Sequence, residues 1–168
     1  LDPSTGLTVR VSATNTGVHS APYGVSYHPY LTVGAPAEEC ILLLPAERVL
    51  RVDNRMLPVR RDDVADETDL REPRLFGQRR LDHTFTGLPQ QWGARLRGPD
   101  GFVVALDSDT PWCQVYFGEE IGRIGIAVEP MTCPPDALTS RDGLIVLAPG
   151  ASHVLTFSIH SPGGSSHF

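Results

Sequence analysis

The chain has 168 residues, 40% hydrophobic and 20% charged, with a net charge of −6 and an isoelectric point of about 5.4. This length and composition suit one large β domain, and no apolar run is long enough to cross a bilayer, which excludes an integral membrane protein. The negative field repels phosphate backbones and argues against nucleic acid as a partner. All 14 basic residues are Arg, so Schiff-base and P-loop lysine chemistry are excluded as well.

The first residues, Leu1-Asp2-Pro3, contain neither a charged leader region nor an apolar one. No secretory signal is read, and a cytoplasmic location is the default expectation. Leu7, Val9, Val11 and Ala13 alternate with Thr8, Arg10, Ser12 and Thr14, the period-two pattern of a strand. A strand this near the start suggests that the beginning of the domain is missing. Cys40 to Leu44 is a short apolar run stopped by Pro45.

From Arg60 to Arg80 the signs of charge alternate and apolar residues are few, which reads as a long excursion between strands. Within it, Val64 to Leu70 is expected to form a short helical turn. Arg95 to Arg97 and Phe102 to Leu106 flank Gly98-Pro99-Asp100-Gly101, the residue types of a hairpin connection. Trp112 to Phe117, Ile124 to Glu129, Leu144 to Leu147 and His153 to His160 are further strand candidates, each bounded by Gly, Pro or Asp. The 16 Gly and 15 Pro fall between these runs, as tight turns require. Two packed antiparallel sheets are expected over residues 1–160, followed by a flexible Gly/Ser-rich tail at 161–168. Cys40, Cys113 and Cys133 are odd in number and widely spaced, and read as reduced core residues rather than a disulfide framework or zinc cluster.

Three ionisable residues stand out. His28 lies in Pro22-Tyr23-Gly24-Val25-Ser26-Tyr27-His28-Pro29-Tyr30, a rigid aromatic setting suited to the apolar face of a sugar ring, and histidine is a residue type able to donate or accept a proton. Glu129 ends the run Ile124-Gly125-Ile126-Ala127-Val128 and precedes Pro130. Desolvation there would raise its affinity for protons, as a general base working near neutral pH requires. Asp82 follows the charged excursion in Leu81-Asp82-His83-Thr84-Phe85. Its neighbour His83 would point to the opposite face of an extended chain and is not assigned to the same site. Read singly, each has a structural alternative: a histidine bonded in a turn, a solvated or Arg-paired glutamate, a turn-capping aspartate. Trp112 and Tyr116 are either aromatic contacts to a ligand or core residues. No His-x-His pair or His/Glu cluster signals a metal, so none is expected.

Taken in order, these segments resemble the aldose 1-epimerase (galactose mutarotase) family. The likeness rests on Asn15 through His28-Pro29-Tyr30; on Leu57-Pro58 followed by the charged stretch and Asp82-His83-Thr84-Phe85; on Val128-Glu129-Pro130 leading to Pro135-Asp136-Ala137; and on Leu147-Ala148-Pro149-Gly150 before the last strand. It implies a large antiparallel β-sandwich, the galactose mutarotase-like supersandwich, present in incomplete form. It also implies interconversion of the α and β anomers of a free hexose without a cofactor, with Glu129 as general base, His28 as acid, Asp82 holding hydroxyls, and Tyr30 and Trp112 contacting the monosaccharide.

Family members are about twice this long, and their first half supplies an Arg and a further His to the sugar. The resemblance therefore assigns this chain to the C-terminal half, with self-association or pairing with the missing N-terminal half expected and poor activity expected of the free fragment. His28-Pro29-Tyr30-Leu31 departs from the commoner family pattern and leaves the subfamily open. A hexose-phosphate epimerase would need basic groups, for which Arg51, Arg55 and Arg74 are available. The competing class is a non-catalytic carbohydrate-binding β-sandwich using the same aromatics and Asp82. A catalytic site requires His28, Asp82 and Glu129 to converge on one pocket, with His28 and Glu129 expected about a pyranose ring apart.

Overall fold

A computed structural model describes residues 1–2 and 5–162. Thirteen strands occur among them: β1 Leu7–Thr14, β2 Ala21–Tyr23, β3 Tyr30–Leu31, β4 Ile41–Leu43, β5 Arg48–Val52, β6 Pro58–Asp63, β7 Asp82–Thr86, β8 Trp92–Arg97, β9 Val103–Ser108, β10 Trp112–Tyr116, β11 Ile126–Met131, β12 Ile145–Leu147 and β13 Ser152–His160. Helical structure among these residues comprises three single 3₁₀ turns and the four-residue helix α1, Ala137–Ser140. The expected tail lies mostly outside the described residues; 161–162 follow the end of β13.

The strands pair antiparallel in a five-stranded sheet, β1-β13-β9-β8-β4, a six-stranded sheet, β3-β11-β10-β7-β5-β6, and the small pair β12-β2. The expected hairpin connects β8 to β9. Gly98 N–H bonds the Phe102 carbonyl at 3.0 Å, Gly101 takes φ 84°, and Asp100 accepts from Phe102 N–H at 2.9 Å.

One continuous core fills the space between the two large sheets. Val49, Phe85, Cys113, Val115 and Val128 from the six-stranded sheet meet Ala94, Leu96, Leu106, Leu155 and Phe157 from the five-stranded one. Phe85 and Phe157 are almost completely enclosed. Burying a side chain of this size contributes on the order of 1.5–3 kcal/mol, so such residues hold the sandwich together. Cys40 and Cys113 are buried free thiols as expected, while Cys133 is free and partly exposed.

The charged excursion is shorter than its composition suggests. Its first residues belong to β6, which pairs with β5 from Arg48↔Asp63 to Val52↔Pro58 and forms the sheet border. An edge strand tolerates charge and a proline at its first position, so β6 carries no apolar alternation for a sequence reading to detect. The stretch 64–80 remains irregular, with a 3₁₀ turn at Asp66–Thr68 inside the expected helical segment. Val64, Leu70 and Phe76 fasten it to the core. Strand β11 also runs beyond its expected end: Glu129 lies inside it, and Pro130 continues the strand opposite Cys113 of β10.

Candidate functional site

Opposed residues in an antiparallel pair project from the same face, so the register assigns side chains to faces directly. Across the six-stranded sheet one row reads Glu129, Gln114, Thr84, Leu50 and Arg61, and the adjoining row reads Tyr30, Ala127, Tyr116 and Asp82. These rows occupy the face opposite the core. The alternate residues Val128, Val115, Phe85 and Val49 point into the core, so the same strands make the sandwich and present the candidate site.

His28 reaches this face from a segment that is extended but only partly strand. Hydrogen bonds tie that segment to β11 and the residue after it, among them Val25 N–H to Thr132 Oγ1 at 2.9 Å, Thr132 N–H to the Val25 carbonyl at 3.0 Å, Tyr27 N–H to the Pro130 carbonyl at 3.3 Å, and Val128 N–H to the Pro29 carbonyl at 3.2 Å. The last two bracket His28 and Glu129. His28 Nε2 lies 3.1 Å from Glu129 Oε1, and the imidazole packs on Tyr30 with ring centroids 4.9 Å apart. The three tyrosines of this segment diverge: Tyr23 meets His153 and Tyr27 meets Phe157, leaving Tyr30 beside His28.

Asp82, Tyr116 and Glu120 complete a cleft of about 340 Å3 with His28 and Glu129. Asp82 opens the strand β7 instead of capping a turn. Its Oδ1 accepts from Gln114 Nε2 at 2.5 Å, and Thr84 Oγ1 donates to Gln114 Oε1 at 2.5 Å. Gln114 thus bridges two strands and fixes the carboxylate. It was not singled out in the sequence, although its alternation with Trp112 and Tyr116 placed it on the same face as both. His83 points away from the cleft, and burial pushes its imidazole toward the neutral form, with Arg51 adding to the effect.

The electrostatics centre on Glu129. Its side chain is 11% exposed, whereas that of His28 is 50% exposed. Burial raises the proton affinity of the Glu129 carboxyl, and the charge of Asp82 pushes the same way. The neighbouring His28 and a hydrogen bond from Ser26 act against this, and the net displacement is upward. A buried carboxyl held against a solvent-accessible imidazole is a pair able to take up one proton and release another.

Trp112, expected as an aromatic contact, lies on the same face but outside the cleft. It sits opposite Met131, packs with Leu50 and Met131, and is 4% exposed. The Arg61 guanidinium lies 4.8 Å from its ring and is ion-paired with Asp142. The expected ring-width gap between His28 and Glu129 is replaced by direct contact. A larger hollow of about 690 Å3 beside Tyr23, Cys133 and Leu138 is lined by no histidine and by one carboxylate, Asp136, so it offers no comparable acid–base pair. Among the described residues no His, Cys, Asp and Glu group has the arrangement of a metal site, and no helix is long and apolar enough to cross a membrane.

The family model for aldose 1-epimerase matches residues 1–160. The chain belongs to the aldose 1-epimerase family. Among curated relatives, the Escherichia coli K12 protein YihR, itself described as uncharacterized, is 40% identical over 164 residues, covering 95% of this chain and 53% of its own. YphB of the same organism, likewise uncharacterized, is 27% identical, covering 91% and 55%. The chain therefore spans about half the length of the curated relatives it matches. Its fold is similar to about half of a galactose mutarotase-like protein from Clostridium acetobutylicum, with a TM-score of 0.80 at 17% identity over 95% of this chain and 53% of the other. A galactose 1-epimerase from Lactobacillus acidophilus NCFM gives a TM-score of 0.64 at 20% identity, covering 96% and 65%.

Proposed function

We propose that this chain carries the acid–base centre of an aldose 1-epimerase that interconverts the α and β anomers of a free hexose. The observation that supports it most strongly is the 3.1 Å contact between His28 and the enclosed carboxyl of Glu129 within one cleft.

The chemistry needs two protons moved on neighbouring oxygens. Glu129, as carboxylate, takes the proton of the anomeric hydroxyl while His28, as imidazolium, gives a proton to the ring oxygen. The C1–O5 bond breaks, its electron pair passes to O5, and the hydroxyl oxygen becomes the aldehyde oxygen. Rotation about C1–C2 presents the other face of that aldehyde, and reclosure runs both transfers in reverse. The cycle begins and ends with the same protons on the protein. Both oxygens are bonded to C1, so an acid and a base in mutual contact suit the reaction better than groups a full ring apart. Asp82, fixed by Gln114, holds sugar hydroxyls through charge-assisted hydrogen bonds and sets the orientation. Tyr30 supports the imidazole and borders the sugar.

Of the arginines weighed for a phosphate, Arg51 is engaged by Asp62 at 3.1 Å and Arg74 by the Asp66 carbonyl at 3.2 Å, and neither they nor Arg55 line the cleft. This favours a neutral hexose over a phosphorylated one. The test follows the approach of a freshly dissolved α-hexose to anomeric equilibrium by NMR. The wild-type chain is expected to exceed the spontaneous rate, although slowly for a chain half the length of its relatives. Glu129→Gln is expected to abolish that excess and keep sugar binding. Binding with no acceleration in either protein would replace the epimerase with a carbohydrate-binding module.

A further inference from the structure

Glu120 is the one residue lining the cleft that neither the sequence pattern nor the proton transfers account for. It sits on the 3₁₀ turn Glu119–Ile121, which links β10 to β11. That turn is pinned at both ends. Gly118 and Gly122 hold φ of 65° and 66°, values that glycine adopts without strain. A Cβ at Gly118 would lie 2.5 Å from the Gly125 carbonyl and 3.2 Å from the Tyr30 ring, so the turn is seated directly against the site. Ile121 N–H and Arg123 N–H both bond the Gly118 carbonyl, at 3.1 and 2.9 Å. The Arg123 guanidinium bonds the Gly77 and Arg79 carbonyls at 3.2 and 3.1 Å, locking the departing chain.

The two glutamates of the turn part company. Glu119 faces Arg80, with 3.6 Å between the charged groups, whereas Glu120 lines the cleft and stays exposed. Glu120 N–H contacts the Tyr116 hydroxyl at 3.4 Å, which brings the start of its residue to the cleft wall. Its charge is also felt at Tyr30, whose hydroxyl is held protonated first by partial burial and then by Glu120. No ion-pair partner for Glu120 occurs among the described residues. The carboxylate therefore has acceptor oxygens available on the loop side of the cleft, with Asp82 on the strand side.

We infer that Glu120 is a second hydroxyl-holding, specificity-determining residue, accepting hydrogen bonds from sugar hydroxyls on the loop side of the cleft, away from those held by Asp82. This rests on the epimerase reading. Two carboxylates holding a ring from different sides would read the positions of separate hydroxyls. A carboxylate accepts from donors and rejects acceptor-only substituents, so each position is read as a hydroxyl and not merely as space. Because Glu120 takes no part in the proton transfers, it acts on substrate affinity and not on the chemical step.

The test measures mutarotation and NMR-detected binding for wild type, Glu120→Ala and Glu120→Gln, against a parent hexose and its singly deoxygenated analogues. Removing a charge-assisted hydrogen bond is expected to raise KM by roughly 10- to 100-fold with kcat held within about twofold. For the one deoxy sugar that lacks the partner hydroxyl, the wild type loses a similar factor and Glu120→Ala loses no more. An unchanged KM in Glu120→Ala, or equal penalties for every deoxy sugar in wild type and variant, overturns the role of Glu120 and leaves the epimerase standing. A wild-type chain that neither binds nor interconverts any hexose overturns both. Glu119→Gln, altering the neighbouring residue directed at Arg80, should leave KM unchanged.

Discussion

His28 Nε2 and Glu129 Oε1 are 3.1 Å apart although their residues lie 101 positions apart in the chain, and the two ring-to-carboxyl partners differ sharply in exposure. A solvent-accessible imidazole against an enclosed carboxyl is a proton donor paired with a proton acceptor. Removing the acceptor by Glu129→Gln preserves shape and hydrogen-bonding capacity but not basicity. The expected loss is roughly 10²–10⁴-fold in the catalysed rate of anomer exchange, with hexose affinity changed by no more than a few-fold, read from NMR of both anomeric protons and from a binding titration.

The upward displacement of the Glu129 pKa fixes the sign of two pH effects. As a base, Glu129 works only when ionised, so the acid limb of the rate should fall at higher pH than an ordinary exposed glutamate would give. In folding, the native state holds the proton more tightly than the unfolded chain does. Stability is thus highest below the ordinary glutamate value and declines as pH rises through the native one. Glu129→Gln lacks this decline. Its melting temperature relative to wild type should rise between pH 4 and pH 7, and a difference that stays flat across that range would contradict the assignment.

Gln114 carries the orientation of Asp82, and Thr84 carries that of Gln114. Gln114→Ala should raise KM for the hexose by about tenfold through a misaligned Asp82 while kcat changes little, because the proton carriers are untouched. Asp82→Asn combined with Gln114→Ala should cost little more than Asp82→Asn alone, since both act through the same carboxylate.

Phe85 is wholly enclosed between the sheets, in a strand whose other face bears Thr84 and Asp82. Phe85→Ala should destabilise the chain by about 3–5 kcal/mol, read from denaturant unfolding. Trp112→Ala, on the opposite face and covered by Arg61, should cost less because Arg61 and Met131 can settle into the space.

The parts of this fold that were readable from sequence are those where burial imposes a pattern. The alternation at Leu7 to Ala13, the hairpin at Gly98 to Gly101 and the runs forming β9 to β13 all declare themselves. Strands β5, β6 and β7 do not: β6 is a charged border strand, and β7 interleaves Asp82 and Thr84 with Phe85 because one side is the site. The site residues His28, Asp82 and Glu129 are named by ordered motifs and share one cleft, yet the direct contact of His28 with Glu129 is not legible in those motifs. It depends on the hydrogen bonds that lay the His28 segment along β11, and those leave no trace in residue type. Gln114 and Glu120 escaped for the same reason: their importance comes from what lies opposite or across the cleft.

Site and core alternate along β11 at a spacing of one residue: Val128 faces the core and Glu129 faces the cleft. The same interleaving holds at Val115 beside Gln114 and Phe85 beside Thr84. Such strands tolerate changes of side chain far better than changes of length. Inserting or deleting a single residue within β11 would turn the carboxylate inward and a valine outward, removing the proton acceptor and placing an unpaired charge among apolar side chains in one event. Natural variation in this region should accordingly take the form of substitutions, with length differences displaced to the turns on either side.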